Sequence, residues 1–313
     1  MQFMKEKNKI SHMDIHAIQV FDVVATERSF SRAAEKLFRT QPAVSMVIQR
    51  LEGELGEKLI DRSGRELVLT DAGQLVLDYA RRFSNLQREL ENALAELRDN
   101  AGGRLVIGAN ESTTLYLLKH IQRYRRLYPR VRVQVRRSLS SRIPGQLADG
   151  DLELGVISYE PADDRLVSRV IYIDRLAFVV SPRHRFADRE SASIAELGME
   201  TFIAHHVNSP YRQVVLQEFQ NMKVPLQMDV EMPTVESIRK LVQRNEGVAF
   251  LPRMCVEQEL DQGTLREVRV IELNVERKIR LVYPARRALS HAAKAFLELV
   301  GTDSGLPAQQ MMR

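Results

Sequence analysis

The sequence predicts an α/β protein that opens with an all-α-rich winged helix-turn-helix, continues as one long helix and ends in open α/β sheets. Three observations predict this order. Two helical patterns meet at a short break around Arg39-Thr40-Gln41, inside "SFSRAAEKLFRTQPAVSMVIQRLE" (29–52). Residues 74–100 contain neither Pro nor Gly. From Arg104 onward, short apolar strands alternate with helical patterns, the signature of layered α/β sheets.

The first helix is expected at 13–27, with Ile15, Ile18, Phe21, Val24 and Ala25 facing inward. The second presents Ala33, Ala34, Leu37 and Phe38 to the core, and its paired alanines allow a close, steep helix crossing. The third opens with Pro42 at its first helical position, where the missing N–H costs nothing. Its inner side is Val44, Val47, Ile48 and Leu51. Its outer side, Pro42, Ser45, Met46 and Gln49, is spaced i, i+3, i+4, i+7 and bears no charge. In a helix-turn-helix the second helix enters the major groove of double-stranded DNA. Gln can pair with adenine, Ser can bond any base, and Met or Pro can touch a thymine methyl. The alternative is an ordinary amphipathic pair whose outer face meets water. Next, "GELGEKLIDRSGRELVLT" (53–70) places apolar runs at Leu59-Ile60 and Leu67-Val68-Leu69 around a Ser63-Gly64 turn. That is a hairpin, or wing, with Arg62 and Arg65 placed for phosphate or minor-groove contact.

Ser29-Phe30-Ser31-Arg32-Ala33-Ala34-Glu35-Lys36-Leu37, Thr40-Gln41-Pro42-Ala43-Val44-Ser45, Leu51-Glu52, Leu55-Gly56, Leu59, Asp61-Arg62, Leu69-Thr70 and Ala72-Gly73 together resemble the N-terminal signature of LysR-type transcriptional regulators. Two departures stand out. Met46 occupies a position where many members have Arg, and Ile60-Asp61 stands where Phe-Glu is common. The expected DNA-contact set is Ser31, Arg32, Thr40, Gln41, Pro42, Ser45, Met46, Gln49, Arg50, Arg62 and Arg65. The resemblance implies a homo-oligomeric regulator, a dimer or a dimer of dimers, that responds to a small-molecule effector. RNA polymerase is a further expected partner.

Composition is compatible with this. The 313 residues have a net charge of +5, with 28% charged and 44% hydrophobic residues, and their sequence pI is about 9.3. Residues 1–70 hold eleven Lys/Arg and ten Asp/Glu, so DNA affinity must come from local placement and dimerisation rather than bulk charge. The one cysteine, Cys255, permits no internal disulfide and is expected to be packed. No apolar run has membrane length, and a cytoplasmic protein is expected. Residues 1–12 read as a flexible leader or the product of an upstream start, 303–313 as a flexible tail.

Between the wing and the α/β part (domain ranges 13–70, 71–100 and 104–302), Ala72, Val76, Tyr79, Phe83, Leu86, Leu90, Ala93 and Leu97 recur every three or four residues. A helix of that length spans about 40 Å at ~1.5 Å per residue, and the chain offers no second long heptad helix to receive its seam. An intermolecular coiled coil is therefore expected, with Tyr79, Phe83, Leu86, Leu90 and Leu97 as the dimer contacts. Ala101-Gly102-Gly103 ends the helix as a hinge.

The resemblance implies two lobes built like periplasmic binding proteins, with crossing segments expected near 158–160 and 263–266. Ligands of open α/β sheets sit at strand carboxyl ends, against helix N-termini. Hydroxyl-rich junctions occur at 110–114, 138–141 and 233–237, and His205-His206-Val207-Asn208-Ser209 forms a fourth. Expected effector contacts are Ser112, Thr113, Ser138, Ser140, His206, Asn208 and Thr234, and a small anion suits them. At each junction the alternative is a plain helix cap. "GANESTTLYLL" (108–118) is similar to members controlling carbon fixation or sulfur assimilation. "NEGVAFLP" (245–252) resembles a family Gly-x-Gly stretch, with Asn245 in place of the first Gly. Lys119, Arg123, Arg125, Arg126, Arg130, Arg132, Arg136 and Arg137 form a basic run without an acid. It reads as a solvated face, a dimer surface or a polyanion contact.

No catalytic or nucleotide-binding motif occurs, and an enzyme is not expected. No cofactor or metal is expected either, since adjacent His205 and His206 on a strand should point apart. An architectural DNA binder without a ligand is the remaining alternative.

Overall fold

The computed structural model describes residues 14–61, 67–98, 103–207 and 209–303. The leader, the wing tip with Arg62 and Arg65, most of the hinge, Asn208 and nearly all of the tail lie outside the described residues, as do the side chains of Ala93 and Leu97. The chain divides into two units, one of residues 1–97 with 149–151 and one of the remainder.

In the first unit, α1 (Ile15–Glu27), α2 (Phe30–Lys36) and α3 (Gln41–Leu55) pack around Phe21, Val24, Ala33, Ile48 and Leu51. Asp14 caps α1 by accepting from the His16 N–H, and Ser29 caps α2 by accepting from the Arg32 N–H. Ala33 and Ala34 are buried where the helices cross. Three local expectations are corrected. The helix α3 begins at Gln41, so Pro42 is its second residue. Ile15, in the first turn of α1, is exposed because that turn overhangs the core. Phe38 is 96% exposed. Its backbone has turned left-handed (φ 54) one residue past the α2 C-cap, which carries the ring away from the alanine face.

The wing strands β1 (Ile60–Asp61) and β2 (Val68–Leu69) pair antiparallel. The motif residues around them have mechanical roles. Glu52 is buried and accepts from the Leu59 and Ile60 N–H groups at 2.9 and 3.3 Å, fastening the wing to α3. Burial opposes its ionisation. The Leu59 N–H, Lys58 and the Ile60 N–H outweigh that and hold the carboxyl below its usual range. Thr70 accepts from the Gly73 N–H at 2.9 Å and starts α4 (Asp71–Arg98), one helix of 28 residues. Gly73 is required by close approach, because an added Cβ would strike the Leu59 carbonyl oxygen.

In the second unit, one sheet runs in the order β4-β3-β5-β12-β6-β11-β7, with β10 also on β6. Its strands are β3 (Gly103–Ala109), β4 (Val131–Arg137), β5 (Leu154–Ile157), β6 (Leu166–Val180), β7 (Ser191–Ala192), β10 (Ala249–Pro252), β11 (Arg266–Val270) and β12 (Glu276–Pro284). A second, parallel pair joins β8 (Thr201–His205) to β9 (Gln227–Met232). The helices are α5 (Glu111–Leu127), α6 (Ile143–Ala148), α7 (Ile194–Leu197), α8 (Pro210–Asn221), α9 (Val235–Gln243), α10 (Glu257–Asp261) and α11 (His291–Asp303).

The lobe division is written in β6. Its residues 166–175 pair with β12 in the first lobe, and its residues 176–180 pair with β10 and β11 in the second. The expected crossings near 158–160 and 263–266 are thus displaced. The chain crosses within β6 near Asp174 and returns between β11 and β12. No Gly or Pro interrupts β6, so one continuous strand serves both lobes and the sequence shows no break there. Asn245 takes a left-handed conformation (φ 68), which asparagine tolerates better than most residues other than glycine. Cys255 is buried, and burial pushes its thiol up to about 12, far from the thiolate form that reacts.

Candidate DNA interface and ligand cleft

On α3, Gln41, Pro42, Met46 and Gln49 are exposed and Ser45 is half-buried, so the uncharged face found in the sequence exists on the folded domain. Thr40 is the N-cap residue, yet its side chain makes no capping bond. Its hydroxyl and the first-turn N–H groups meet whatever approaches the helix end. Arg50 is paired with Glu54 at 2.8 Å on the surface, an interaction weak enough for a phosphate to displace. Ser31 and Arg32 are exposed on α2, and the Arg32 guanidinium donates to the Glu27 carbonyl.

On α4, Tyr79, Phe83, Leu86 and Leu90 are all exposed. Leu75 and Leu94 extend the exposed row and were not singled out in the sequence. Ala72 and Val76, expected to open the seam, instead pack against the core of their own domain, since the first turns of α4 lie on it.

The cleft of the second unit is built from both lobes. Asn110 caps α5 by accepting from the Thr113 N–H at 2.8 Å and donates to Ser140 Oγ at 2.8 Å. The Tyr159 hydroxyl donates to the Ser140 carbonyl at 3.0 Å. Ser112 Oγ accepts from Arg277 at 3.3 Å. Arg277, only 3% exposed, also donates to Asp174 at 2.7 Å and lies 4.9 Å over the Tyr211 ring. The Tyr211 hydroxyl donates to the Ser158 carbonyl, joining α8 to the end of β5. This arrangement gathers hydroxyls, a guanidinium and aromatic rings where the two lobes meet.

Several of the expected contact residues are bonded within the protein. Thr113 is 0% exposed, and its hydroxyl completes the capping box and donates to the Val156 carbonyl at 3.1 Å. Its hydroxyl is thus engaged in capping bonds. Thr234 caps α9 by accepting from the Ser237 N–H at 3.1 Å. The Val235 N–H beside it is taken by Glu111 at 2.9 Å, so an internal carboxylate already occupies that helix end. Ser138 bonds Gln146 at 2.7 Å. His206 lies past the end of β8, and its ring stacks on His205 at 4.9 Å. The two do not point apart, because strand alternation stops at His205. Burial lowers the His205 pKa, against the pull of Glu111 at 3.5 Å. Among the described residues no His, Cys, Asp or Glu cluster could hold a metal. Arg277, Asp174 and Tyr211 were missed in the sequence. The available signal was register, since Arg277 shares a strand face with buried Ile279 and Leu281.

Comparison with known proteins agrees with this architecture. The family model "Bacterial regulatory helix-turn-helix protein, lysR family" matches residues 15–74, and the "LysR substrate binding domain" model matches residues 98–304. The chain belongs to the LysR family of transcriptional regulators. It is a DNA-binding regulator controlled by a small-molecule effector, and not an enzyme. It is 33% identical over 306 residues to a probable RuBisCO transcriptional regulator of Cyanophora paradoxa, covering 96% of this chain and 94% of that one. Among solved structures, the LysR family regulator CbnR in complex with its target DNA superimposes with a TM-score of 0.70 at 18% identity, over 93% of this chain and 99% of that one. The regulatory domain of Synechocystis CcmR in complex with 2-PG superimposes with a TM-score of 0.59 at 19% identity, over 66% of this chain and 99% of that one. No helix among the described residues is long and apolar enough to cross a membrane.

Proposed function

We propose that the chain reads DNA with the α3 face and controls genes of carbon assimilation in response to a small anion held between its lobes. The observation that carries the effector reading is the cluster of side chains around Arg277, with Ser112 bonded to it, Tyr211 against it, and Ser140 and Tyr159 joined to the same group through Asn110. Asp174 already neutralises the Arg277 guanidinium, so the surrounding hydroxyls of Ser112, Ser140 and Tyr159 are the groups that would orient a ligand there. The kinship with a RuBisCO regulator supports the target class, and 2-PG is the first ligand to try. The regulator works in the cytoplasm as a dimer through α4 and as a dimer of dimers. The edge strand β4 with exposed Leu115 and Leu118 of α5 is a surface suited to the second contact. RNA polymerase is the partner through which bound protein changes transcription.

The expected result for the reading helix is a loss of roughly 1–3 kcal/mol at the specific site for Gln49→Ala, with non-specific binding nearly unchanged. Titration of a specific and a random duplex checks this, and wild-type discrimination by the variant would remove Gln49 from the interface.

For the cleft, a panel of small carboxylates and phosphates including 2-PG should contain one that stabilises the protein, by about 2.7 kcal/mol at a hundredfold excess over Kd. Ser112→Ala should weaken that ligand. Thr113→Val should lower stability by about 1–2 kcal/mol through the lost cap and leave ligand affinity alone. Thermal shift with calorimetric titration separates the two. A panel without any stabilising anion would remove the anionic class.

A further inference from the structure

We propose that Phe38 is a DNA contact, its ring lying on the deoxyribose and thymine-methyl surface at the rim of the major groove beside the N-terminus of α3. The inference rests on the reading of α3 as the groove helix.

Two penalties coincide at this residue. Phe38 is 96% exposed, more than any other large apolar side chain among the described residues. It also has a left-handed backbone, φ 54. The Phe38 N–H donates to the Glu35 carbonyl at 3.1 Å and the Arg39 N–H to the Ala34 carbonyl at 2.9 Å. This pair of bonds closes a helix with the Schellman turn, whose left-handed position is ordinarily glycine because a Cβ is strained there. A residue that strains the backbone and leaves its ring in water does nothing for the isolated domain. Such a combination points to a surface completed by a partner.

The partner follows from position. Phe38 is two residues before Thr40, the N-cap of α3, whose hydroxyl makes no capping bond, so the turn that carries Phe38 leads directly into the helix end that a phosphate would meet. Phe38, Pro42 and Met46 are exposed, apolar and four residues apart in sequence. Apolar side chains recognise DNA through the thymine methyl and the sugar C–H faces.

The test uses the full chain and the duplex that wild-type protein enriches most strongly from a random pool, with anisotropy titrations over a KCl series. Phe38→Gly should raise the thermal midpoint, because glycine accepts the left-handed turn. It should also weaken binding by about tenfold, the order of one lost apolar contact. The salt slope should not change, since no cation is removed. Phe38→Tyr should retain wild-type affinity. Wild-type affinity in Phe38→Gly overturns the proposal, as does a loss accompanied by a lower thermal midpoint. If Gln49→Ala loses discrimination while Phe38→Gly does not lose affinity, only the Phe38 contact fails. If neither variant is affected, the groove assignment of α3 fails with it.

Discussion

Leu86→Glu combined with Leu90→Glu will lower the sedimenting mass of the protein and weaken binding to its operator by about a hundredfold or more. The two leucines are 62% and 58% exposed, so the change leaves the core of a single chain untouched. Between two chains the same side chains would be buried, and two glutamates per helix would have to be desolvated without partners. A regulator that contacts paired half-sites gains most of its affinity from holding two reading helices together. A monomer retains one half-site only. Analytical ultracentrifugation and operator titration check both parts, and an unchanged mass would sink the assignment of this seam.

The second large effect is on stability. Arg277→Met should destabilise the second unit by about 3–5 kcal/mol, because it strands a buried charge on Asp174. The side chains of this pair are 4% and 2% exposed, and burial raises the Asp174 pKa even with Arg277 in place. The pH dependence has a definite sign. A carboxyl whose folded pKa lies above its unfolded value contributes full stability below the unfolded pKa and loses it as pH rises through the folded one. The deficit of Arg277→Met should therefore be largest near neutral pH and shrink as pH falls toward the carboxylate range. The double variant Arg277→Met, Asp174→Leu should recover much of the loss, since both charges are gone. Denaturant melts at two pH values read these outcomes. A single variant as stable as wild type would mean that the pair contributes nothing to the lobe junction.

Periodicity and spacing determined the order of elements in this chain. The three helices, the wing strands and the 28-residue α4 all lie within a few residues of where the pattern puts them. These are local features, set by side-chain alternation, caps and the places where Gly and Pro stand. The uncharged α3 face was legible for the same reason, because a helix face is a matter of spacing alone. The tertiary structure decided what spacing cannot encode. It placed the lobe crossing inside an unbroken strand, since the partner strands, not β6 itself, define where one sheet ends. It gave Thr113 and Thr234 capping bonds and brought together Arg277, Asp174 and Tyr211, which are distant in sequence and meet only when β6, β12 and α8 converge. It also turned Phe38 outward, because the α2 termination bonds fix the backbone dihedral there and no hydrophobic pattern predicts a left-handed phenylalanine.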